Sequence, residues 1–143
     1  MREEVATLHL YLLRFVYLLS AVVVGLGAWP EVVRRSVISG DLIGGIAFSI
    51  YAAFSVLMLL GAFVPLRMLP LVLLQLLYKL IWIVGIGIPQ WQSGHFNAVG
   101  GTIRFFAAIV VLDLVAVPWP YVFRQFIQAI GARTVEKTGP ISA

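Results

Sequence analysis

The sequence predicts an all-α membrane protein: a bundle of four transmembrane helices with a C-terminal amphipathic interfacial helix. Three observations carry this. The 143 residues are 62% hydrophobic and 11% charged, against roughly 25% charged in an ordinary soluble domain, and the mean hydropathy is +1.03. The apolar residues fall into four runs, each long enough to cross a bilayer core as a helix. The basic residues lie mostly at the ends of those runs, where anionic headgroups would meet them. A chain of this length makes a single integral membrane domain, 1–143.

The first span is predicted over about 8–28. Thr7, Tyr11, Arg14, Tyr17, Ala21 and Gly25 recur at steps of three or four. They make a polar stripe that turns into a small-residue stripe, and small residues let a neighbouring backbone come close. Arg14 either snorkels to the headgroups or pairs inward. A secretory signal is not expected: Glu3 and Glu4 offset Arg2, Arg14 interrupts the apolar run, and Gly25-Leu-Gly-Ala-Trp-Pro30 is a poor cleavage site. Trp29 to Asp41 is expected as a loop with an interfacial tryptophan, and Glu31, Arg34 and Arg35 suit a short surface helix within it.

The second span is predicted over about 42–64. Gly45, Ser49 and Ala53 form a small-residue ladder and Gly40/Gly44 starts another, both suited to tight helix packing within the chain or across a dimer. The short turn Leu66-Arg-Met-Leu-Pro70 makes the second and third helices antiparallel neighbours. The third span is predicted over about 71–88. Between Pro70 and Pro89 lie 18 residues, of which 15 are apolar or glycine, a helix of about 27 Å. The exceptions, Gln75, Tyr78 and Lys79, share one face, and Trp82 continues it. Lys79 falls near the middle of the span, where an ammonium costs about 3 kcal/mol in lipid, so it is expected to face protein or water. Gly85-Ile-Gly87-Ile-Pro89 is the predicted stop.

Gln90 to Val99 is a polar loop carrying Ser93 and His95 without an acid nearby. The fourth span, about 100–117, carries Arg104 and Asp113 nine residues apart. They are half a turn out of phase and point to opposite sides. Asp113 needs a buried partner. Pro118-Trp-Pro-Tyr121 is an aromatic belt. Phe123, Phe126, Ile127 and Ile130 line one face of a surface helix over about 120–131, ended by Gly131, with a loose tail from Arg133. The Gly-x-Gly-x-Pro-like ends of the first and third spans hint at a duplicated hairpin, but such residues also punctuate unrelated helix ends.

Four spans place both termini on the side of Arg67. That side carries Arg2, Arg67, Arg124, Arg133 and Lys137; the other carries Arg34, Arg35 and Arg104. The excess favours cytoplasmic termini in a bacterial inner (plasma) membrane. Arg14, Gln75 and Asp113 then lie at similar depth, with Tyr17, Tyr78, Lys79 and Tyr51 about one turn deeper. The candidate ligand-binding residues are Lys79, Tyr78, Gln75, Trp82, Tyr17, Arg14, Tyr51 and Asp113, with an ion pair expected between Asp113 and Lys79 or Arg14.

No cofactor is expected and no metal: zero Cys excludes thiolate metal sites, iron–sulfur clusters and thiol redox chemistry. His9 and His95 fall at opposite membrane faces. No nucleophile elbow, zinc motif, phosphate loop or carboxylate pair is present, and no basic run with interleaved aromatics suggests nucleic acid. In length and number of spans the chain is similar to DoxX-like proteins and small multidrug transporters. The latter rely on a glutamate in the first helix, where this chain has Arg14. The expected function is non-enzymatic: binding or translocating a small or amphipathic ligand through the polar core. The alternative is an assembly subunit that packs as a homodimer or in a larger membrane complex through its small-residue faces, among membrane lipids. A third possibility is a membrane enzyme acting on lipid or quinone with Lys79 or Asp113 as acid–base group.

Overall fold

The computed structural model describes residues 6–37 and 41–137, with side chains at 6–34 and 41–131. All regular structure there is helical: α1 (Thr7–Val37), α2 (Leu42–Phe63), α3 (Leu69–Trp82), a π-helical turn (Ile83–Gly87), α4 (Ile88–Gln92), α5 (Phe96–Ala116) and α6 (Trp119–Lys137). Four continuous helical stretches, 7–34, 42–63, 69–92 and 96–116, are long and apolar enough to cross a membrane. Only 22–28% of each apolar window is buried. Exposed residues such as Leu26, Ile43, Ile81 and Val111 leave a broad apolar exterior, which a water-soluble monomer rarely shows.

α1 and α2 form the closest pair. The small stripe of α1 makes this possible: a Cβ at Gly25 would already touch Ser55 at 3.5 Å. At the other end of the pair the Tyr17 ring lies against Gly61, where any Cβ would collide with it. The Tyr17 hydroxyl donates to the Pro65 carbonyl at 2.9 Å, tying α1 to the turn between α2 and α3. Trp29 Nε1 donates to Ser55 Oγ at 3.2 Å. Asp41 caps α2 by accepting from the Gly44 N–H at 2.8 Å. α5 packs against both α1 and α3. α2 and α3, joined by the Val64–Met68 turn, meet chiefly through rings: Tyr78 stands 6.2 Å from both Tyr51 and Phe54. The apolar core gathers at the end of the bundle that holds this turn, where Leu13, Tyr17, Met58, Leu69, Val117 and Val122 come together. The start of α1 and the start of α6 therefore lie on the side of Arg67, as four antiparallel helices require.

Several boundaries differ from those expected. α1 does not stop at Ala28 but runs through Pro30 to Val37, absorbing most of the predicted loop and its surface helix. Pro30 removes one N–H, an interior cost of about 3 kcal/mol. The Trp29–Ser55 bond and the Arg34–Glu31 ion pair at 2.6 Å hold the helix on either side of it. The third stretch likewise passes through Gly85, Gly87 and Pro89. The Ile88 N–H reaches back five residues to the Ile83 carbonyl, and Pro89 occupies the first turn of α4, where proline is tolerated. α5 starts at Phe96 rather than Gly100, so the predicted 90–99 loop shrinks to Ser93–His95, turned by Gly94 at φ +92°. α6 passes Gly131 and ends at Lys137, into the expected tail. Arg2, Glu3, Glu4, Gly40 and the last six positions lie outside the described residues.

Candidate functional site

Gln75 and Lys79 are one turn apart on the inward face of α3, and Asp113 faces them from α5. All three are buried, at 0%, 3% and 0% exposure. The spacing of apolar residues dictates this: on both helices outward-facing leucines and valines take most of the remaining positions, leaving one stripe for the interior. Gln75 Nε2 donates to both carboxylate oxygens of Asp113, at 3.0 and 3.1 Å. The other end of the amide is left over. Gln75 Oε1 is fully buried and has no hydrogen-bond partner among the described residues.

The expected ion pair is not made. Among the described residues, Arg34–Glu31 is the direct salt bridge and Lys79 takes no part in one. Asp113 lies level with Gln75, whose amide occupies it, and Lys79 sits one turn further along. Its ammonium stands 5.4 Å from the centre of the Tyr78 ring and 6.0 Å from that of Phe106. Ring faces attract a cation but accept no strong hydrogen bond. A buried ammonium with three N–H donors is thus left without an oxygen in contact.

Lys79, Gln75, Tyr78, Ser20, Phe105 and Phe106 line a cavity of about 60 Å³ between α1, α3 and α5. That is room for a few waters, taking roughly 10–15 Å³ as the least a single one requires. Its wall is mostly apolar, with Leu19, Val23, Val24 and Ile109 beside the aromatic rings and polar groups only from Lys79, Gln75, Ser20 and Tyr78. Tyr78 is the hub of the aromatic side, with Tyr51, Phe54 and Phe106 each 6.2 Å away. Trp82, half-buried, closes on Phe106 at 5.1 Å. The π-turn begins at the next residue, one turn beyond Lys79, and none of its residues lines the cavity. π-turns of this kind recur at functional sites.

Of the eight candidate residues, the structure therefore brings Gln75, Tyr78, Lys79 and Asp113 together, with Trp82 and Tyr51 at the edge. Tyr51 is 39% exposed. The other two lie apart. Arg14 is exposed, pairs with nothing among the described residues, and is not the partner of Asp113. Tyr17 is buried but committed to the Pro65 carbonyl. Sequence reasoning missed Ser20 and Phe106. Ser20 stands three residues after Tyr17, on the same inward face, and that spacing was the available signal.

Elsewhere, Arg104 is exposed and bonds its own Gly100 carbonyl at 3.2 Å, on the side of α5 away from Asp113. Ser93 Oγ and His95 Nδ1 are 3.2 Å apart on the surface. Among the described residues no three of His, Cys, Asp and Glu gather as metal ligands would. Compared with known families, curated proteins and solved structures, the chain matches no family model, no curated protein and no solved fold.

Proposed function

We propose that the chain is an integral protein of a bacterial inner membrane, with cytoplasmic termini, that binds or passes a small polar ligand at Lys79 in the bundle core. The observation that carries this reading is the ammonium itself. Lys79 is 3% exposed, touches no carboxylate, and lines a cavity beside Gln75 and Ser20; Gln75 Oε1, close by, also lacks a partner among the described residues. A group kept only to fix helix packing is normally satisfied by its neighbours. Here the Lys79 donor is unsatisfied and its residue lines a cavity that a polar guest can enter, while the Gln75 acceptor, also unsatisfied, has almost no accessible surface. The cavity volume narrows the guest to something of the size of a few waters, rather than the body of an amphipathic molecule.

Labelling tests this directly, because the chain has no native cysteine. With Lys79→Cys reconstituted in vesicles, a small charged methanethiosulfonate reagent is expected to modify position 79, while Leu74→Cys, 50% exposed on the outer face, stays unreacted in lipid. No modification at 79 in a protein that still folds would reduce the polar stripe to helix glue.

A second reading, an assembly subunit, has its own support. The Gly45–Ser49–Ala53 ladder is not used inside the chain: Ser49 and Ala53 are exposed and a Cβ at Gly45 would meet nothing within 4 Å. Such a face suits a second helix.

A further inference from the structure

We propose that the open groove between α1 and α2 holds one chain of an anionic phospholipid, with the lipid phosphate on Arg34. The inference rests on the membrane placement above and is independent of the Lys79 site. The groove has a volume of about 800 Å³ and runs along α1 from Ala21 to Arg34. Thirteen helical steps make about 20 Å, whereas one leaflet's share of the hydrocarbon is about 15 Å. The groove thus reaches from mid-membrane through one leaflet and about a turn beyond, which sets Arg34 at headgroup level.

Its walls are apolar, with Val22, Leu26, Val56 and Leu59 on the sides and the small residues Ala21 and Gly25 beneath. The polar atom of its floor is already spent. Ser55 Oγ donates to the Ala52 carbonyl at 2.7 Å and accepts from Trp29 Nε1 at 3.2 Å. A polar ligand would find nothing to bond along this length, and a hydrocarbon chain loses nothing there. At the mouth the requirement reverses. Glu31 holds the Arg34 guanidinium through a single Nη2 contact at 2.6 Å, and a guanidinium has five N–H donors with which to meet a phosphate as well. An acyl chain below and an anionic headgroup above match both halves of the groove.

The test is native mass spectrometry of the chain in mild detergent, with phosphatidylglycerol or phosphatidylcholine added back after delipidation. One bound phosphatidylglycerol per chain is expected. Arg34→Gln should lower its retention roughly fivefold, the effect of one basic residue at an anionic headgroup. Val22→Phe and Val56→Phe fill the groove from exposed positions outside the core and should displace both lipids. Retention of no lipid, equal retention by all variants, or a lipid-free dimer with the groove covered by a second copy would each overturn the proposal. Alkaline carbonate separates the two levels of the argument. A chain released from membranes by carbonate refutes the membrane placement, whereas a carbonate-resistant chain that retains no lipid refutes the groove alone.

Discussion

Gln75 offers Asp113 a single nitrogen shared between two oxygens, at 3.0 and 3.1 Å, and this neutral donor is all that holds a fully buried carboxylate among the described residues. Removing it is therefore expected to be costly. Gln75→Leu leaves the carboxylate without a partner, and such losses run to about 1–3 kcal/mol, more when the group is charged. Pairing Gln75→Leu with Asp113→Leu removes both the orphan and its charge, so the double variant should unfold at a higher temperature in detergent than the single one. A double variant that melts below Gln75→Leu would show that the two residues do not act as a pair. Lys79 is expected to behave in the opposite way. It makes no contact with an acceptor, so Lys79→Met should change stability by no more than about 1 kcal/mol, or raise it, while removing ligand binding. A large fall in the melting temperature would mark Lys79 as structural. The positions of Gln75, Lys79 and Asp113 were legible in the sequence, because a polar residue in an apolar helix has one way to face. Their pairing was not. Which of two cations or one amide reaches the carboxylate depends on differences of less than a turn in depth, and residue spacing does not resolve those.

At the scale of the helix, glycine and proline carried the strongest sequence signals and misled in a consistent way. Each end placed at Trp29-Pro30 or at Gly85-Ile-Gly87-Ile-Pro89 rested on local propensity. In each case packing extends the helix past it. Trp29 is anchored to Ser55. Gly87 is crowded by Ile103 and Trp82, where a Cβ would lie 3.0–3.1 Å from their side chains. Inside an apolar bundle a helix that stops early exposes unpaired carbonyls, and that penalty outweighs one missing proline N–H. The small-residue stripe of the first span packs as expected, with Gly25 against Ser55, whereas the Gly45–Ser49–Ala53 ladder packs against nothing among the described residues of the chain, and the sequence could not say which would be used. The structure separates them, and alanine tests the separation. Gly61→Ala pushes a methyl into the Tyr17 ring and should cost about 1–3 kcal/mol, weakening the α1–α2 pair and its tie to Pro65. Gly45→Ala meets open space on a helix and should be neutral or stabilising by up to about 1 kcal/mol. Thermal melts of the two in one detergent decide it, and equal losses would mean that α1 and α2 pack differently from this structure. The bulkier Gly45→Leu adds a check on the assembly reading: energy transfer between labelled copies in vesicles should fall if that face joins two chains, and stay unchanged if it faces only lipid.

For the whole molecule, the outside is as informative as the core. Most of each apolar window faces outward, and in water that surface would drive association; in hydrocarbon it is the ordinary exterior of a bundle. The core is correspondingly thin, and the cluster of Leu13, Tyr17, Met58, Leu69, Val117 and Val122 gathers where the Val64–Met68 turn and the start of α6 meet. This makes the end that carries the starts of α1 and α6 the better packed one and leaves the buried polar groups and the cavity above it. In the proposed membrane placement, charge is what predicts the orientation. Arg67 and Arg124 lie on the side of this packed end and Arg34 and Arg104 on the other; the four-span topology read from the sequence adds Arg2, Arg133 and Lys137 to the first side and Arg35 to the second. The difference is two basic residues, five against three, and this excess is the ground for expecting cytoplasmic termini. A green fluorescent protein fused after Ala143 is expected to fluoresce, since it matures on the cytoplasmic side, and alkaline phosphatase inserted at Gly94 is expected to be active outside. The reverse pattern would place the 64–68 turn outside and invert the orientation, so that the lipid groove opened to the inner leaflet. Activity of both reporters at both positions would indicate mixed insertion. In that case the margin of two charges is too small to fix the chain, and adding Lys beside Arg67 should restore one orientation by the same electrostatic argument.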